Sequence, residues 1–139
     1  MKKQSNSTRL ALLAIGTLLL VPSLRANDVI KQQLEYYNTK IAPVLAEKCF
    51  KCHSGTEDKV KGGLTLDSKE GMLRGGDTGP AVVPGNVEKS LLIRAIAYGD
   101  EDMQMPPKEK LPSSVVADFA VWIKMGAPVP QGDGAKTAK

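Results

Sequence analysis

The chain has 139 residues, enough for one domain with its own core and little more. Its formal charge is +4, but Lys2, Lys3, Arg9 and Arg25 all lie in the first 26 residues, which hold no acid. The remainder carries 15 basic and 15 acidic residues and no basic stripe interleaved with aromatics, so a nucleic-acid partner is not expected.

Residues 1–26 read as an export signal. Lys2, Lys3 and Arg9 form a positive start, and Leu10 to Val21 is an apolar run of 12 residues without charge. A bilayer span needs about 20 residues, so a retained anchor is the weaker reading. No stable membrane insertion is expected after removal of the signal. Pro22 and Ser23 break the run and Ala26 offers a small residue for cleavage. Leu24 is a poor residue three positions before that cut, and cleavage after Ser23 is the alternative. No cysteine lies near enough to carry a lipid anchor.

Asn27 to Tyr37 predicts a short helix, capped by Asn27 or Asp28, with Ile30, Leu34 and Tyr37 at helical spacing. Asn38-Thr39 offers a second helix start, because Pro43 fits a first turn better than an interior. Ile41, Val44, Leu45 and Lys48 follow at helical spacing and lead into Cys49-Phe50-Lys51-Cys52-His53. Ser54 to Asn86 is glycine-rich and reads mainly as a loop. Within it, Asp67 or Ser68 caps a short helix stopped by Gly75-Gly76. Asn86 caps the next helix, "VEKSLLIRAIAY", with Leu91, Leu92, Ala95 and Ile96 on its apolar face and Gly99 as its stop.

Asp100 to Pro112 is a loop with three prolines. Ser113 or Ser114 caps a last helix that runs to Gly126, with Val116, Phe119, Ala120 and Ile123 as its core stripe. Beyond the short "AVVP" no strand alternation appears, and no internal repeat. The expected fold is all-α, with residues 27–130 as one domain and 131–139 as a disordered tail. Two Phe, three Tyr and one Trp make a thin core, so a bound group is expected to complete it.

"CFKCH" contains both cysteines and the only histidine of the chain. On a helix, Cys49, Cys52 and His53 stand at i, i+3 and i+4 and share one side. Two thiols so placed can add to the two vinyl groups of one haem, and the imidazole can reach its iron. C-x-x-C-H is the attachment signature of c-type haem, and such attachment is generally made outside the cytoplasm. A disulfide between Cys49 and Cys52 would close a tiny loop. A thioredoxin-like pair lacks its βαβ frame. A zinc site lacks a fourth soft ligand.

A second histidine ligand is impossible within one chain, so a methionine is sought. Met72 and Met125 lie in helices, where packing explains them. Met103 and Met105 lie in a loop, and Pro106-Pro107 restricts the backbone at Met105. Met105 is therefore the expected second iron ligand and Met103 its rival. Trp122 faces two readings, packing against haem or burial in the helix core. Arg74 and Arg94 are candidates for a propionate partner, against plain solvation.

Together "IAPVLAEKCFKCHSG", "KGGLTLDSKEGMLRGG", "GPAVVPGNVEKSLLIRAI", "MPPKEKLP" and "VVADFAVWIKMGAP" resemble the planctomycete-type cytochrome c domain over about residues 37–130. The resemblance implies a small class I-like cytochrome c fold of a few helices and long loops wrapped around one covalent haem. It implies Cys49 and Cys52 as thioether sites, His53 as proximal ligand and Met105 as distal ligand, and Gly79-Pro80 resembles the loop whose carbonyl accepts from the second ring nitrogen of that histidine in other small cytochromes. The expected function is single-electron transfer by an exported, periplasmic or secreted monomer that docks redox partner proteins and is not an enzyme. The alternative is a haem protein whose open or labile sixth site reduces peroxide or binds a small gas, although no distal His or acid–base pair supports it.

Overall fold

The computed structural model describes residues 26–131. The expected signal, apart from Ala26, and the expected tail, apart from Gln131, lie outside the described residues. The described chain is all-α. Among these residues the only β-type pairing is an isolated bridge between Gly76 and Gly79, so "AVVP" forms no strand.

Helical structure runs without a break from Ala26 to His53. It begins as α1 (Ala26–Tyr36), widens through a π-type turn at Tyr37–Ile41, tightens as α2 (Ala42–Val44), widens again at Leu45–Cys49 and closes as α3 (Phe50–His53). The predicted new start at Asn38-Thr39 is absent. Pro43 supplies no N–H to the ladder, and instead of breaking there the chain shifts register around it. Ala42 N–H reaches back five residues to Tyr37 O, and Phe50 N–H reaches back five to Leu45 O.

Tyr37, Ile41 and Leu45 make the buried stripe of this segment. Ile30, expected on the same stripe, is exposed, because no residue of α1 is buried. The first turns of α1 reach past the body of the domain.

Ser68 Oγ caps α4 (Lys69–Arg74) by accepting from Gly71 N at 3.1 Å. Gly75 ends the helix at φ 75°, and a Cβ there would strike the carbonyl of Gly79. Only glycine fits both conditions.

Asn86 does not cap the next helix. Its Oδ1 accepts from Lys89 N at 3.0 Å and closes a turn, whereas α5 spans only Leu91–Ile96. The delay comes from Ser90, which is buried, holds an extended backbone and bonds through its hydroxyl to Val83 N and Asn86 O. At the other end Tyr98, not Gly99, takes the left-handed conformation, at φ 58°.

The last helix, α6 (Ser113–Lys124), starts from Pro112 without a side-chain cap, so neither Ser113 nor Ser114 plays that part. It packs against α5 and against the widened turn Tyr37–Ile41. Phe119 and Ile123 are buried as expected, and Trp122 is fully buried between them and Tyr37. Trp122 meets Phe119 edge-on, with centroids 6.1 Å apart, and Tyr37 at 5.8 Å. Its Nε1–H donates to Pro128 O at 2.9 Å, so the chain after α6 folds back over the indole. The core is thus better filled than the aromatic count suggests. It joins Trp122, Phe119, Ile123, Ile41 and Leu45 to Met72, Val82, Leu92 and Ile96.

Candidate haem cavity

One mostly apolar cavity of about 390 Å³ lies between five stretches of chain. The first supplies Cys49, Cys52 and His53, and the second Leu64 and Leu66. The third is the turn from Gly76 to Ala81, and the fourth is the face of α5 with Leu92, Ala95 and Ile96. The fifth is the loop with Met103, Met105, Pro106 and Pro107. Pockets for cofactors typically have about this volume and this kind of lining.

The widened turn ending at Cys49 and the short helix α3 present both thiols and the imidazole to the same cavity, the grouping the spacing predicts. Cys49 and Cys52 are free thiols, so no disulfide competes for them. Burial pushes the Cys49 thiol up to about 11, which keeps it protonated at neutral pH. Among the described residues no group of three or more His, Cys, Asp and Glu is placed to hold a bare metal ion.

His53 Nδ1–H donates to Leu64 O at 3.3 Å. The acceptor is therefore not at Gly79-Pro80. Gly79 O is engaged by Gly76 N at 3.2 Å instead. With Nδ1 so held, the Nε2 lone pair is left available as a ligand. A clamp beside the imidazole fixes this arrangement. Leu66 N donates to His53 O at 2.7 Å, and the Asp67 carboxylate accepts from Ser54 Oγ at 2.6 Å and Gly55 N at 2.7 Å. By sequence alone Leu64 and Leu66 fall in the long glycine-rich loop. Their i, i+2 spacing in "GLTLD" marks a short extended piece and could have flagged them.

Met103 and Met105 both line the cavity, and they differ in how they are held. Met105 N donates to Ala95 O at 3.1 Å, on the α5 wall, whereas Met103 N closes a local turn onto Asp100 O at 3.2 Å. Lys48 ties the attachment segment to the same loop through Glu109 at 3.4 Å and pairs with Glu47 at 3.1 Å. The Glu47 hydrogen bond, then that of Glu109, raises the Lys48 pKa.

The remaining candidates fall outside the cavity. Trp122 belongs to the core, Arg94 pairs with Asp100 at 3.1 Å, and Arg74 donates to Thr65 Oγ1 at 3.4 Å. Met72 is buried in the core and Met125 packs against it.

Two thiols, one imidazole and two thioethers are the donor set of this cavity, and its walls are apolar enough to cover a flat porphyrin. These residues fit a covalently held haem, and an all-α shell around such donors defines the c-type cytochrome class. Residues 49–109 match the family model described as Planctomycete cytochrome C, which supports a planctomycete-type cytochrome c domain over that stretch. The match runs from Cys49 through Met105 to Glu109, inside the wider span of the resemblance. Such a domain implies covalent haem c with its iron, electron transfer and redox partner proteins. No curated protein and no solved structure matches the chain. No helix among the described residues is long and apolar enough to cross a membrane.

Proposed function

We propose that this protein is an exported monohaem cytochrome c that carries single electrons and makes no product. The observation that carries the reading is the convergence of Cys49, Cys52, His53 and Met105 on one apolar cavity. In it the two thiols would hold the haem covalently, and His53 Nε2 and the Met105 thioether would ligate its iron. The haem would supply one iron able to pass between ferrous and ferric, and a thioether ligand would raise its reduction potential.

The chain's own residues do the rest. Leu64 O orients the imidazole, α5 and Leu66 exclude water, and the loop at Met105 presents its sulfur from a backbone fixed to Ala95. Met105 is favoured over Met103 by that tie to the cavity wall and by its exposure, 38 %, in a residue that lines the cavity. One C-x-x-C-H supports one haem, and the charged, apolar-run start of the chain supports export. Docking to donor and acceptor is then weak and small in area.

The test is the visible spectrum of the oxidised holoprotein. Thioether ligation gives a weak red charge-transfer band, and Met105→Ala is expected to abolish it while Met103→Ala leaves it. A band that survives Met105→Ala refutes the assignment, and a wild-type protein with no such band points to an open sixth site and the enzymatic reading.

A further inference from the structure

Tyr98 stands just beyond α5 at φ 58°, a conformation in which a bulky side chain is a true outlier. The left-handed position after a helix normally goes to glycine, and here glycine is present one residue later, at Gly99. The chain thus places an aromatic side chain at the unfavourable position. Strain of this kind persists only where the surroundings hold it in place.

What the side chain gains lies in the neighbouring loop. The Tyr98 hydroxyl donates to the carbonyl of Pro106, the residue after Met105. Lys110 Nζ lies 5.6 Å from the centroid of the Tyr98 ring. Tyr98 itself does not line the cavity, so it acts on the loop from outside. Met105 is consequently held on both sides. Its own N–H is bound to Ala95 O at 3.1 Å, and the carbonyl of the next residue is bound to Tyr98.

We infer that Tyr98 is a positioning residue, a latch that keeps the Met105 sulfur in the haem cavity and so sets how readily an external ligand displaces it. The inference rests on the reading of Met105 as distal ligand. Swinging Met105 away requires the loop to give up the Tyr98–Pro106 hydrogen bond. A single hydrogen bond contributes a net free energy equivalent to roughly two- to tenfold in an equilibrium constant.

The test is imidazole titration of the oxidised holoprotein, followed by loss of the red charge-transfer band. Tyr98→Phe keeps the ring over Lys110 and removes only the hydroxyl. It is expected to bind imidazole about five- to tenfold more tightly than wild type. Tyr98→Asn tolerates the positive φ better but cannot reach Pro106, and it too is expected to bind imidazole more tightly. A purely structural role would change overall stability and leave imidazole affinity in the folded protein unmoved.

Met105→Ala is the control. If it abolishes the band while both Tyr98 variants bind imidazole within twofold of wild type, the latch is refuted and the ligand assignment stands. If Met105→Ala leaves the band intact, the assignment fails and the latch with it.

Discussion

Asp67 is a carboxylate on the surface whose work is done inward. Its Oδ2 accepts from the buried Ser54 hydroxyl at 2.6 Å and from Gly55 N at 2.7 Å, both in the range of charge-assisted bonds. These two contacts hold the turn after His53 against the segment whose Leu64 carbonyl orients the imidazole. A hydrogen bond to a charged group contributes about 1.5–3 kcal/mol net. Asp67 is exposed, so the lower end applies to each bond, and Asp67→Ala is expected to cost about 2–3 kcal/mol. For a domain near 100 residues that corresponds to a fall in Tm of about 10 °C or more.

Asp67→Asn keeps one neutral acceptor and is expected to lose about half as much. Urea denaturation of the holoprotein measures both, and a double-mutant cycle with Ser54→Ala is expected to show coupling of about 1 kcal/mol or more. If Asp67→Ala is within about 0.5 kcal/mol of wild type, the scale of an ordinary surface substitution, the clamp contributes nothing and the argument for it fails.

Two predictions concern the rest of the fold. Trp122→Phe removes the donor to Pro128 O and leaves part of a fully buried site empty, so a loss of about 2–4 kcal/mol is expected in the same urea assay. An intact urea midpoint would show that the chain after α6 is not held by the indole. Burial, and for Tyr36 then the hydrogen bond to Asp118, raises the pKa of Tyr36, and burial alone raises that of Tyr37. Above the unfolded-state value near 10 the native state therefore keeps more tyrosine protons than the unfolded one, and stability falls as pH rises. Urea midpoints measured from pH 8 upward are expected to lose this contribution only above about pH 10, with a shallower decline in Tyr36→Phe. Equal slopes in the two proteins would contradict the Tyr36 part of the account.

The parts of the fold that were legible in the sequence are those written in local code. Ser68 as a cap, Gly75 as a stop and the apolar face of α5 follow from residue type and spacing alone. C-x-x-C-H works the same way, since five consecutive residues need only one turn of helix to reach a common cavity. The misreadings come from competing contacts that a helical pattern does not encode. Ser90 prefers Val83 and Asn86 to a helical backbone, so α5 starts late. Pro43 is absorbed by a widened turn because Tyr37, Ile41 and Leu45 must stay on one buried face. Leu64 as the partner of His53 depends on an 11-residue separation that no local pattern encodes.

The same distinction bears on how cofactor and fold depend on each other. A core that lacked aromatic residues would need haem at its centre. Instead Trp122, Phe119, Ile123, Ile41 and Leu45 pack together without lining the cavity, while Leu66, Ala81, Leu92 and Ile96 belong both to the core and to the cavity wall. These four residues form a shared partition. Covering their cavity-facing surfaces removes apolar area from water on one side of a layer that the peptide core already braces on the other. Stabilisation by haem is therefore concentrated where the partition is thinly backed, in the extended Leu64–Leu66 piece and the Met103–Pro107 loop. Both stretches are held by a few separate hydrogen bonds, from Leu64 and Leu66 to His53 and from Met105 and Pro106 to Ala95 and Tyr98, rather than by helix ladders. These two stretches, one beside His53 and one carrying Met105, are thus the ones whose order depends most on the cofactor, while the packing of α6 on α5 and on the turn at Tyr37–Ile41 has a core of its own.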